Sequence, residues 1–356
     1  MQSKLATEGM ELTEDLYCPK NGKLLLLNKG TVLTQEIITR LVNRGVSYIN
    51  TKHSDNKSER MQLDDRFMHK ELIESPYFKE FEQQHNAYLK ALKIELNSII
   101  NGSSLEPKMF STVVSSLTKK ALTKMNLLNY IRYIPQLDDT IFTHSLNVAI
   151  LCSIAAGWYG LKAEEAHYLV LAGLFHDIGK IIVPKEILNK SGKLTKEEFE
   201  MVQRHTLHGY DILLSHKELP ISTKLPALMH HEKADGKGYP RGIDNRQISK
   251  LSKIVSLCDI YEALTADRTY RKRLSPFYVL KEMESGRCGH LDAAITKQFL
   301  RFLTETFIGS SVKLNGAIVG KVVHINPQDP TSPLIQCESG FIDLSTIKNV
   351  EITSVF

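Results

Sequence analysis

Cysteine is scarce and scattered. Cys18, Cys152, Cys258, Cys288 and Cys337 are odd in number and form no C-x-x-C pair, which argues against a disulfide framework and against a zinc knuckle. Charge of one sign is lacking too: the formal charge is +5 over 356 residues, and no basic run exceeds Arg271-Lys272-Arg273, so a nucleic-acid binder is not expected. Glu8, Glu11, Glu14 and Asp15 occupy the N-terminus where a signal peptide would be apolar. Only Ile141 to Leu161 runs long without a formal charge. It contains His144, Ser145, Asn147, Ser153 and Gly157 and does not carry an aromatic and basic flank on both sides, so it is expected as a central helix buried on all sides. With neither repeats nor low-complexity tracts, these absences leave a cytoplasmic globular protein of two or three domains.

The periodicity changes three times along the chain. Residues 1–55 read as a small α+β unit: an apolar strand at Leu24 to Leu27, a helix capped by Thr34 and carrying Ile37, Ile38, Leu41 and Val42, and a returning strand at Val46 to Ile49. Lys52 to Arg60 is polar and reads as a linker. Residues 56–130 form a helical linker region. Ser75-Pro76 starts one helix, with Phe78, Phe81, Tyr88, Leu89, Leu92, Leu96 and Ile99 at spacings of three and four, and a second runs from Pro107 through Met125. Residues 131–308 are helical with polar loops. From 309 onward, Val312 to Leu314, Asn315-Gly316 and Ile318 to Val323 signal a hairpin, and Leu334 to Cys337 with Phe341 to Leu344 signal another, so residues 309–356 are expected as a short β unit.

Chemistry concentrates in the third region. Eight of the thirteen histidines, His144, His167, His176, His205, His208, His216, His230 and His231, fall within 88 residues of it. His230-His231-Glu232 opens a run through Gly236, Gly238, Pro240 and Gly242 that cannot continue a helix, so two imidazoles stand at the edge of a loop beside Lys237 and Arg241. An apolar helix from Leu169 to Phe175 delivers His176-Asp177 to a break at Gly179. A buried Asp and His must be paired or metal-bound, and a metal is the economical partner. His144, His205 and Asp259 sit on three further helical stretches, as convergent ligands of one site would. Cys258, beside Asp259, reads as a small buried side chain.

These residues and their contexts resemble the HD superfamily of metal-dependent phosphohydrolases and, within it, the HD-GYP family. The resemblance covers about 140 to 300: His144, His176-Asp177-Ile178-Gly179-Lys180, Leu194-Thr195 with Glu198, His205 with Gly209, His230-His231-Glu232, Asp235-Gly236, Gly238-Tyr239-Pro240, Asp259, and Ala263-Leu264-Thr265 with Arg268 and Arg271. It implies a mainly α fold with an HD-type helical catalytic domain, and hydrolysis of cyclic di-GMP to pGpG, with further cleavage to GMP in some members.

Carried onto this chain, the resemblance places His144, His176, Asp177 and Asp259 on one divalent ion and Asp177, His205, His230 and His231 on another, with Asp177 as the bridge. A shared carboxylate holds two cations roughly 3.5–4 Å apart and leaves room for a bridging hydroxide, the nucleophile. Iron or manganese suits the His/Asp set better than zinc. Asp177, Lys180 and Arg268 would act in catalysis, and Tyr239, Lys180, Arg268, Arg271, Glu262, Ala263 and Asp267 would contact the substrate. Glu232 and Asp235 are expected to fix the loop. The chain departs from the pattern at Thr140, where three-metal members carry a glutamate, so no third ion is expected. Implied partners are cyclic di-GMP, diguanylate cyclase domains at the Gly-Tyr-Pro loop and a second copy in a homodimer, with no nucleic acid and no membrane. Two alternatives stay open: an HD phosphohydrolase of another nucleotide or cyclic dinucleotide, and a non-catalytic module that binds cyclic di-GMP or a cyclase.

Overall fold

Turn signals near the N-terminus cut the chain into short strands. In the computed structural model, β1 (Glu11–Leu12), β2 (Leu16–Tyr17) and β3 (Leu25–Leu27) precede α1 (Gln35–Asn43), and β4 (Tyr48–Lys52) and β5 (Ser58–Gln62) follow it. The structure describes residues 6, 8–17, 24–43, 46, 48–52, 58–62, 70–100, 102, 107–120, 124–134, 140–190, 192–266, 273–315, 318–338, 340–347 and 349–356. Thr34 Oγ1 accepts from the Ile37 amide at 3.3 Å and starts α1 as the sequence requires. Ile38 and Leu41 then bury against Ala6, Met10, Leu12, Leu33, Val46 and Ile49. One reading changes: Ser58–Arg60, taken as linker, pair antiparallel with Asn50–Lys52 at the edge of a β1-β4-β5 sheet. Ladder hydrogen bonds come from the backbone, so a polar stretch can still serve as an edge strand.

The chain divides into two compact units, Met1–Ser75 with Phe307–Phe356, and Pro76–Thr306. The first also holds α2 (Lys70–Glu74) and the C-terminal strands β6 (Ser311–Leu314), β7 (Val319–Asn326), β8 (Asp329–Cys337), β9 (Gly340–Asp343) and β10 (Ile352–Val355). These strands form an antiparallel sheet in the order β10-β6-β7-β8-β9, with Val312, Leu314, Val322, Ile335 and Ile352 buried. Both expected hairpins are present.

The second unit is helical: α3 (Pro76–Ile100), α4 (Pro107–Lys120), α5 (Lys124–Tyr133), α6 (Thr140–Trp158), α7 (Ala163–Phe175), α8 (Lys185–Leu188), α9 (Lys196–Gln203), α10 (His205–Leu214), α11 (Ile221–Met229), α12 (Lys250–Thr265), α13 (Pro276–Glu284) and α14 (Ala293–Glu305), with a 3-10 turn at Ile178–Ile182. Of the helix expected from Pro107 through Met125, Pro107–Lys120 is α4 and Lys124 and Met125 are helical in α5, while residues 121–123 lie outside the described residues. α6 is the central rod. Ile141–Trp158 is long and apolar enough to cross a membrane, and 83% of it is buried against its neighbours. It packs on α3, α4, α7 and α12, which explains an apolar surface on every side.

Candidate metal centre

Residues from five helices meet at one point. α6 contributes His144 and α12 contributes Asp259, α7 hands over His176 and Asp177, α10 opens on His205, and α11 stops before His230 and His231. The break after Asp177 depends on Gly179. A Cβ there would lie 2.0 Å from the His205 carbonyl oxygen and 2.5 Å from the Gly209 nitrogen. Only glycine lets the 3-10 turn press against α10, and that contact brings His205 beside Asp177.

Asp177 is the hub. Its Oδ2 lies 3.4 Å from His176 Nε2 and 3.7 Å from His144 Nε2, while its Oδ1 lies 3.3 Å from His205 Nε2 and 3.5 Å from His230 Nε2. Asp259 Oδ1 stands 3.0 Å from His144 Nε2 and 3.9 Å from His176 Nε2. Two groups result: His144, His176 and Asp259 in one, Asp177, His205, His230 and His231 in the other. Within each group the possible ligand atoms lie within 4.8 Å of one another.

The outer ring nitrogens set the direction of the inner ones. His176 Nδ1 donates to the Gly173 carbonyl at 2.7 Å, His205 Nδ1 to Val202 at 2.6 Å, His230 Nδ1 to Pro226 at 2.8 Å, and His144 Nδ1 to Glu262 Oε2 at 2.5 Å. Each partner only accepts, so Nδ1 carries the proton and the Nε2 lone pair of a neutral ring turns inward. His205 Nε2 and His230 Nε2 then face each other at 3.3 Å as two acceptors. His176 Nε2 and Asp177 Oδ1 are buried and make no hydrogen bond among the described residues. Buried acceptors converging without a donor need a cation, and a divalent metal fits this donor set.

Electrostatics agree. Burial pushes the Asp177 carboxyl up, but Lys180 and His176 outweigh it and hold the group well below the usual carboxylate range. Asp259 is likewise held down against its burial, chiefly by His144. Burial lowers His230 to about 4, and burial with His230 beside it holds His231 well below the ordinary imidazole value, so both rings are neutral. His144 differs: burial opposes its charge, yet Glu262 and Asp259 raise it to about 9, so this ring also keeps a proton on Nε2, toward Asp259 Oδ1 at 3.0 Å, which a bound cation would displace.

At the mouth, Lys180 Nζ donates to Asp177 Oδ2 at 2.5 Å and keeps partial exposure. The Tyr239 ring stacks on His231, with centroids 4.6 Å apart and planes inclined by 26°. Glu232 is buried and ties down the loop: its carboxylate accepts from the Arg241 amide at 2.8 Å and the Ile243 amide at 3.2 Å. Gly238 is required because a Cβ would lie 2.4 Å from the Glu232 Cα. Asp235 Oδ1 accepts from the Lys237 amide at 3.2 Å.

The seven residues expected as ligands come together. Glu262, expected at the substrate, has its carboxylate engaged behind the metal groups instead: Oε2 takes the His144 proton and Oε1 accepts from Asn147 Nδ2 at 2.9 Å. A signal for this was present, since a carboxylate three residues after Asp259 on a buried helix needs a partner. Ala263 is half-buried on α12 and offers no ligating atom. Asp267, Arg268 and Arg271, and the side chain of Thr140 at the start of α6, lie outside the described residues. His167, His208 and His216 belong to neither group, and His216 pairs with Glu218 at 3.1 Å.

Comparison with known proteins adds the following. Residues 119–295 match the family described as HD domain. Cyclic di-GMP phosphodiesterase PA4108 of Pseudomonas aeruginosa is 32% identical over 235 residues, 66% of this chain and 56% of that protein. A cyclic di-GMP phosphodiesterase of Thermotoga maritima is 33% identical over 227 residues, 63% of this chain and 59% of that protein. The 3'3'-cGAMP-specific phosphodiesterase 1 of Vibrio cholerae is 38% identical over 162 residues, 45% of this chain and 37% of that protein. The chain thus spans between about a third and three fifths of the length of these relatives.

Proposed function

We propose, from the premise that this chain belongs to the HD domain family and to its HD-GYP group, that it is a metal-dependent phosphodiesterase hydrolysing cyclic di-GMP to pGpG, with residues 131–308 as the catalytic part. The observation that carries the reading is Asp177, whose two oxygens face two separate sets of inward-turned imidazoles. His144, His176, Asp177 and Asp259 would hold one divalent ion, and Asp177, His205, His230 and His231 the other, with iron or manganese as the metal. Such a pair supplies Lewis acidity and a water that ionises near neutral pH.

The chain's own groups do the rest. Lys180, fixed at Asp177, offers a cation to the phosphoryl oxygens as charge builds on them. Water adds across one P–O3′ bond, the phosphorus keeps the incoming oxygen, and the leaving 3′ oxygen takes a proton. Tyr239, held by His231, presents a ring face at the entrance against which a guanine can stack. Arg268 and Arg271 complete the proposed phosphate contacts.

The experiment is a substrate panel with manganese-loaded protein, offering cyclic di-GMP, 3'3'-cGAMP and pGpG separately and following products by chromatography. Cyclic di-GMP should disappear fastest, with pGpG accumulating. Preferential cleavage of 3'3'-cGAMP would transfer the chain to the other cyclic dinucleotide, and inertness toward all three would support the binding-module reading.

A further inference from the structure

The buried polar chain behind His144 does not end at Glu262. Asn147 Nδ2 donates to Glu262 Oε1 at 2.9 Å, and His85 Nε2 meets Asn147 Oδ1 at 3.0 Å. Asn147 is fully buried and His85 is 1% exposed. The chain therefore crosses three helices, from His85 on α3 through Asn147 on α6 to Glu262 on α12 and back to His144 on α6.

Donor and acceptor rules leave one arrangement. The Glu262 carboxylate accepts only, so the Asn147 amide must turn its NH2 toward Glu262 and its oxygen toward α3. His85 must then donate through Nε2. Its ring is held by Phe81, with centroids 5.8 Å apart, and its Nδ1 is buried without a hydrogen bond among the described residues. An apolar residue would fill that place without the cost of burying an imidazole, which burial lowers to about 4. What the imidazole adds is a donor that prevents the Asn147 amide from turning over. A reversed amide would set its oxygen against Glu262 Oε1 and loosen the group that aims His144.

We infer that Asn147 and His85 are positioning residues of the centre, a relay that fixes the direction of the His144 ring through Glu262 and ties that direction to helix α3. The inference rests on the metal reading given above. Groups that hold a ligating histidine from behind are worth about 10- to 100-fold in metal affinity.

The test is titration of the full-length, metal-free protein with manganous ion alone, followed by calorimetry and by electron paramagnetic resonance, with thermal unfolding alongside. Asn147→Ala should weaken one of two binding events about 10- to 100-fold and leave the other, at Asp177, His205, His230 and His231, unchanged. His85→Leu should weaken the same event by a smaller factor. His85→Gln, whose amide nitrogen can donate in place of Nε2, should restore it. Wild-type manganese binding in both Asn147→Ala and His85→Leu, or equal weakening by His85→Gln and His85→Leu, would overturn the relay and leave the metal reading standing. A wild-type chain that takes up no manganese overturns both.

Discussion

Asp177→Asn tests the shared carboxylate most directly. The amide keeps the shape of the side chain but removes its charge and turns one inward acceptor into a donor. Four imidazole nitrogens surround the Asp177 oxygens at 3.3–3.7 Å, so both groups lose a negative neighbour at once and Asp259 alone stays with the first. A four-ligand structural zinc site is worth roughly 10–16 kcal/mol, or about 3 kcal/mol per ligand. At about 1.4 kcal/mol per decade, each ion should bind about a hundredfold more weakly, and the pair about ten-thousandfold. Losing the metals removes several kcal/mol of transition-state stabilisation, about 10³-fold or more in turnover. The fold should survive, because the Lys180 side chain is 24% exposed and can turn to water when its partner is lost. Metal content by mass spectrometry after desalting, turnover of cyclic di-GMP and thermal unfolding together decide the matter. A folded variant that keeps both ions, or more than about a hundredth of wild-type turnover, refutes the shared-carboxylate reasoning.

Three further predictions concern other parts of the molecule. Tyr239→Ala should raise KM for cyclic di-GMP about 5- to 100-fold, the value of one base stack, while Tyr239→Phe stays near wild type; steady-state kinetics in which both variants match wild type would remove the stacking role. Gly179→Ala forces a methyl against backbone 2.0 Å away and should cost about 1–3 kcal/mol along with part of the bound metal, so an unchanged Tm would contradict the packing argument. His85, lowered to about 4 by burial, stays neutral in the folded protein while the unfolded chain takes up a proton below its ordinary 6.5. Stability from this residue is therefore complete above that value and falls as the pH drops toward 4, by about 2 kcal/mol between pH 7.5 and 5. His85→Gln should flatten that slope in denaturant titrations at the two pH values, and parallel curves for the two proteins would show the reasoning to be wrong.

Much of the centre is legible in one dimension because ligands at helix ends leave punctuation. His176-Asp177 stands before Gly179, and His230-His231 stands before a loop built on Gly236, Gly238 and Gly242. α3 and α6 were readable from period and from the absence of charge, since their burial is written into composition. β5 was not. Its residues carry no apolar alternation, and only the neighbouring β4 supplies the ladder that makes Ser58–Gln62 a strand. The family resemblance implies a substrate contact at Glu262. A helix turns 100° per residue, so adjacency along α12 does not imply a shared face, and the carboxylate points inward to His144.

By itself the sequence determined which residue types the protein has for its chemistry, where its helices stop, and that a run as apolar as Ile141 to Trp158 had to be buried. Those properties follow from local backbone preference and from the cost of exposing apolar surface, which act along the chain. Tertiary structure alone decided which oxygen of Asp177 faces which histidines, and that Glu262, Asn147 and His85 line up behind His144. Hydrogen bonds between side chains 62 to 118 residues apart depend on angles and on tenths of an ångström. Only the packing of α3, α6 and α12 against one another sets those.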